Sequence, residues 1–203
     1  MARAFLFSKS KEEIIKNIHE QAYRNQMNYR GCAQVVVKAL MDHLDMYSHE
    51  VFKAANPFAA GVARRGEMCG ALSGALMAIG LYSGRCDLRE AGEPKEAGES
   101  QSTKTAALAG EMFDRFKKFW GTIKCFDIQD MLLGKHLDPS DPDVKKLMDT
   151  GEFFDNLSKV CCNVSATAAK MAAEILLRDI EEERNWYRFD QRGDLNYKPP
   201  IKK

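Results

Sequence analysis

The sequence predicts an all-α fold, a single-domain bundle of about six to seven helices. Three observations carry that expectation. Apolar side chains recur at steps of three and four along most of the chain. Residues that start and stop helices stand at the ends of those runs. No alternating apolar–polar pair of segments suggests strands, and no internal repeat is present. With 203 residues, of which 45% are hydrophobic and 29% charged, the chain is long enough to bury a core of its own.

The first helix is expected over Lys9 to Gln26, where Ile14, Ile15, Ile18, Ala22 and Tyr23 share a face. Ser8 or Ser10 is available as cap, and Glu12 and Glu13 favour the positive end of the helix dipole. Cys32 to Tyr47 repeats the pattern with Val36, Ala39, Leu40, Leu44 and Met46, after a break at Arg30-Gly31. A short helix follows from Ser48 to Ala55, ended by Asn56-Pro57, because the residue before proline disfavours helical geometry. Glu67 to Leu81 is apolar on almost every side, which marks it as the central buried helix. Its small residues Gly66, Gly70, Gly74 and Ala78 recur at steps of four and invite close approach of another backbone.

From Ser83 to Thr103 the composition turns to Gly, Glu, Lys and Ser with Pro94, so an exposed, mobile loop is expected there. Thr105 to Trp120 resumes an amphipathic helix, with Gly121 as its stop. Asp141 caps a further start with Pro142 at the first helical position. The last helix is expected from Gly151 or Asn156 to Glu183. These elements place a helical domain at residues 1–185 and an aromatic, basic tail at 186–203, the latter more extended than packed.

Thirty Lys and Arg against 29 Asp and Glu leave a net charge of +1, which argues against nucleic acid and anionic membranes as partners. The most apolar stretch, Met68 to Tyr82, is shorter than the roughly twenty residues of a membrane-spanning helix, so no membrane association is expected. The first eight residues lack the apolar run of a secretory signal, and a cytoplasmic location follows as the expectation. Gly61-Val-Ala-Arg-Arg-Gly66 has the glycine spacing of a phosphate loop, but Glu67-Met68 replace the lysine and hydroxyl that such a loop needs. Around Asp138 and Asp141, Pro142 and Asp143 spoil a calcium loop. His19, His43, His49 and His136 show no metal-ligand spacing and read as ordinary histidines. There is no Cys-x-x-Cys, hence neither a thioredoxin-type dithiol nor covalent haem.

Six cysteines remain: Cys32, Cys69, Cys86, Cys125, Cys161 and Cys162. They are too few for a disulfide-built scaffold. Cys32 and Cys69 stand near expected helix starts, where the helix dipole favours thiolate. A cation precedes each site closely: Arg30, Arg65, Lys124 and Lys159. Stabilised thiolates are one reading of this pattern, and buried cysteines that simply pack are the other.

Cys69-Gly-Ala-Leu-Ser-Gly74 fits a CGAxxG motif. Together with Tyr29-x-x-Cys-Ala-Gln34, Phe116-x-x-Phe-x-Gly-x-x-x-Cys125 and a cysteine opening the last helix, it makes the chain resemble the C-GCAxxG-C-C family of redox-active proteins, from about Ile14 to Leu177. The resemblance implies a four-cysteine site at Cys32, Cys69, Cys125 and one of Cys161 and Cys162, with Cys86 outside the pattern. A similar domain forms part of split-Soret type cytochromes, which implies anaerobic electron transfer and an iron–sulfur centre. The haem part of that similarity does not transfer, because the haem-attachment motif is missing.

Three functions stay open. The four cysteines hold an iron–sulfur cluster for electron transfer or redox sensing, with an unknown redox partner. Alternatively they form a metal-free thiol–disulfide couple, with Cys69 as the attacking thiol. Or the chain is a helical binding module with structural or zinc-bound cysteines, whose aromatic residues Trp186 to Phe189 dock a partner or a second copy. Gaps of 37, 56 and 36 residues between the four positions mean that only tertiary structure can assemble such a site. Gly70 and Gly74 then have two uses, close helix packing or room for a cofactor beside Cys69. The helical content and small-residue stripe are compatible with a homodimer. Whether the chain is an enzyme is left open, since no acid–base or nucleophile–base pair is evident.

Overall fold

Residues 9–86 and 101–190 are described by the structure, a computed structural model; side chains are described except at 101–102, 159 and 183–190. Eight helices are present among them: α1 Lys11–Tyr29, α2 Cys32–Leu44, α3 His49–Ala54, α4 Gly70–Ser83, α5 Gln101–Trp120, α6 Cys125–Leu133, α7 Pro142–Thr150 and α8 Glu152–Asp190. A short 3-10 turn, Asn56–Phe58, follows α3. No strand occurs among the described residues, so the all-α class holds. The expected loop near 83–103 is shorter than its composition suggests, because α4 reaches Ser83 and α5 starts at Gln101. Residues 87–100 and the tail from 191 lie outside the described residues.

Local chemistry explains most boundaries. Ser10 caps α1, its hydroxyl accepting the Glu13 amide at 3.1 Å, and Ser48 caps α3 through the Val51 amide at 3.2 Å. The carboxylate of Asp141 accepts the Asp143 amide at 2.8 Å, with Pro142 inside the first turn of α7. One helix was not anticipated. At α6 the Thr122 hydroxyl accepts the Lys124 amide and donates to Asp127 at 2.8 Å, and Gly134 ends the helix in left-handed geometry.

The long helix α8 organises the bundle, packing along α1 and touching α2, α4, α5, α6 and α7. Its inner face is small: Ala166, Ala168, Ala169, Ala172 and Ala173 are fully buried. Larger side chains of the other helices fill the space between, among them Ile18, Leu40, Leu72, Ile79, Met112 and Phe116. By length and composition residues 152–182 could cross a membrane, yet 67% of that apolar window is buried inside the fold. It is the core helix of the bundle. The helix also continues past Glu183 through Trp186, Tyr187 and Phe189 to Asp190, beyond its expected end.

The central helix α4 is as buried as expected, but it begins three residues late. Glu67, Met68 and Cys69 are drawn out of it to pair with the segment before α6: the Cys69 amide donates to Ile123 O at 2.8 Å, and the Cys125 amide to Glu67 O at 2.7 Å. Gly66 therefore lies outside α4, not on its small-residue face. Before it, Ala60, Gly61, Val62, Ala63 and Arg64 all have positive φ, between 51° and 74°. Such a left-handed run costs each non-glycine residue about 1–2 kcal/mol.

Candidate functional site

Four helices bring Cys32, Cys69, Cys125 and Cys161 to the wall of one chamber of about 260 Å³. Cys32 is the first residue of α2, Cys69 the cap of α4 and Cys125 the first residue of α6. Three of the four thiols thus sit at helix N-termini, where the dipole favours negative charge. Cys161 lies more than two turns inside α8, not at its start, because the helix begins at Glu152.

Two devices produce this convergence. The backbone pairing of residues 66–69 with 123–126 sets Cys69 beside Cys125. Close packing of α4 on the start of α2 does the same for Cys32. A Cβ added at Gly70 would fall 2.3 Å from Cys32 Sγ, and one at Gly74 would fall 2.3 Å from Ala33 O. Gly74 thus serves helix contact, and Gly70 makes room for the Cys32 sulfur. Behind Cys125, a Cβ on Gly61 would meet its Cβ at 2.7 Å, which binds the left-handed segment to the site.

Burial dominates the electrostatics. It pushes all four thiols up, Cys125 to about 12, and neighbouring thiols of the group add to the rise at Cys69, Cys125 and Cys161. The thiolates expected from helix position are therefore not favoured in the metal-free protein. The opposing influences are hydrogen-bond donors, not cations: backbone amides of Ala60, Ala33 and Gly70 favour the charged form of Cys32, and those of Ala71 and Leu72 that of Cys69. Gln129, buried one turn after Cys125, donates to its sulfur at 3.4 Å and accepts the Leu137 amide at 2.8 Å. Among the described residues, no group of three or more His, Cys, Asp and Glu side chains is arranged so that it could hold a metal ion.

The adjacent pair separates cleanly. Cys161 faces the chamber and is influenced by Cys32, Cys125 and Cys69, whereas Cys162 is fully buried, does not line the chamber and is raised by burial alone. Cys86 is exposed and away from it. Of the four preceding cations, Arg30 lines the chamber, while Arg65 and Lys124 do not, and the Lys159 side chain lies outside the described set. The histidines stand elsewhere: His43 bonds Gln21 at 2.8 Å, His49 meets Tyr47, and His136 stacks on Phe126 and pairs with Asp130 at 2.9 Å. The sequence reading missed Gln26, Arg64, Gln129 and Ser158, all of which line the chamber. Only Gln129 left a trace in the sequence, its position four residues after Cys125 on one helical face.

Fold and site together define a helical bundle that gathers four cysteine thiols, one from each of four helices, around a common chamber. Residues 31–175 match the family model described as "Putative redox-active protein (C_GCAxxG_C_C)", well over half of the chain, and the protein belongs to that family. No curated protein and no solved structure matches the chain.

Proposed function

We propose that Cys32, Cys69, Cys125 and Cys161 hold an iron–sulfur cluster, through which the protein accepts and passes electrons or senses redox state. The observation that carries this reading is the shared chamber: four thiols from four helices, and no carboxylate or histidine among its lining residues. A purely thiol donor set suits iron–sulfur clusters and soft cations. A cluster carries its own bridging sulfides and spans more space than one ion, which favours it over zinc in a site without single-ion spacing. Burial that raises every thiol also makes each a slow nucleophile, which weighs against a metal-free dithiol couple.

When bound, the cluster would supply one-electron chemistry. The chain's part is to bind and to tune. Amides at the starts of α2 and α4 stabilise negative charge on sulfur, the Gln129 amide orients Cys125, and the apolar walls limit water.

Metal and acid-labile sulfide analysis of protein purified without oxygen tests the reading. Iron and sulfide are expected in the wild type, diminished in Cys69→Ser and Cys161→Ser, and retained in Cys162→Ala. Zinc alone, or no metal under anaerobic conditions, would overturn it.

A further inference from the structure

We infer that the chamber is also a binding site for a small organic carboxylate, held by its two arginines. Part of its lining is apolar, formed by Leu137, Met148, Phe153, Phe154 and Leu157. No Asp or Glu lines the chamber, but Arg30 and Arg64 do, and among the described residues neither enters an ion pair or a side-chain hydrogen bond. The Arg30 guanidinium lies over the Phe154 ring, 3.4 Å from its centroid. Stacking engages the face of the guanidinium and leaves its in-plane N–H fork, the edge that matches a carboxylate. The buried Gln26 accepts the Ser165 hydroxyl on its carbonyl at 3.4 Å, which leaves its amide nitrogen as a donor. Ser158 also lines the chamber.

A chamber with cationic and neutral donors, no carboxylate side chain and aromatic and aliphatic lining is complementary to an acid with an apolar body. A small inorganic anion would satisfy the arginines and leave the wall against a hydrated ion. The whole chamber, about 260 Å³, is just below the usual range of about 300–1,000 Å³ for small-ligand sites, so only a compact acid would fit. The inference concerns the chamber as the four thiols leave it, about 260 Å³ in all, and a group bound by the sulfurs would take part of that space.

Benzoate and its neutral isostere benzamide serve as probes, titrated calorimetrically into protein purified without oxygen, with iron and sulfide measured on the same samples. Wild type should bind benzoate at least about tenfold more tightly than benzamide, the scale of one charge-assisted hydrogen bond. Arg30→Gln and Arg64→Gln should each weaken benzoate by about tenfold while leaving benzamide and metal content unchanged. Leu157→Trp, which fills the chamber, should abolish benzoate binding. Both arginines are exposed, and only Arg30 stacks on Phe154, so the Arg64 variant remains informative even if Arg30→Gln disturbs that packing. Equal binding of the two probes, no benzoate binding by wild type, or arginine variants that bind like wild type would overturn the site. Absent benzoate binding in protein with its iron and sulfide intact leaves the cluster reading standing; benzoate binding by protein that never holds iron does the reverse.

Discussion

At the level of single residues, the thiols of this site are held against their usual acidity. Cys125 rises from 9.0 to about 12, with burial as the largest cause and the nearby Cys32 next. The folded metal-free protein therefore keeps protons that the unfolded chain releases. The resulting stability is complete below about pH 9 and drains away as pH climbs toward 12. The denaturant midpoint of metal-free protein should fall between about pH 8.5 and 11, and Cys125→Ser should flatten that slope; an unchanged slope in the variant would contradict the assignment. Cysteine identity at this scale was legible from the family motif. The choice of Cys161 over Cys162 was not, because neighbours on a helix point in different directions and only the packing of α8 says which faces the chamber.

Elements are where glycine has to be judged by its surroundings. Gly70 and Gly80 lie on the same helix, yet a Cβ at Gly70 would clash with Cys32 Sγ and with Phe58 O at 2.6 Å, while one at Gly80 meets nothing within 4 Å. Gly70→Ala should destabilise by about 1–3 kcal/mol and lower metal content, because α2 must move away from α4. Gly80→Ala should stabilise by about 0.5–1 kcal/mol, as expected for a helix interior. Equilibrium denaturation of the two variants decides it, and equal effects would refute the packing account. Helix α6 escaped the sequence reading because it has nine residues and no side-chain cap on Lys124, too little for periodicity to register. The start of α4 was misplaced for a different reason: residues 67–69 have the apolar neighbours of a helix but spend their backbone on residues 123–125. The positive-φ run from Ala60 to Arg64 had no signal either, since four of its five residues are not glycine.

For the whole molecule, the four thiols come to one chamber from α2, α4, α6 and α8, across the length of the chain. A group bound by all four would couple those helices, and free energy of binding to a site absent in the unfolded chain becomes folding stability. Protein purified without oxygen should therefore melt at a higher temperature than the same protein after metal removal, and Cys161→Ser should abolish the difference. Matching melting temperatures for the two wild-type forms would show that the site holds nothing that matters to the fold.

The amino-acid sequence by itself determined the helical class, seven of the eight described helices and the cysteines that the family motif singles out. These follow from information that is local: periodicity, caps, breaks and short motifs extend over a few residues. Tertiary structure alone decided that Cys161 and not Cys162 lines the chamber, that Gly70 leaves room for Cys32, and that Arg30, Arg64 and Gln26 share the chamber with the thiols. It also decided that burial, outweighing helix position, pushes the thiols up. The reason is physical. Proximity across gaps of 37, 56 and 36 residues and the loss of water around a sulfur are properties of packing, which no local stretch of sequence contains.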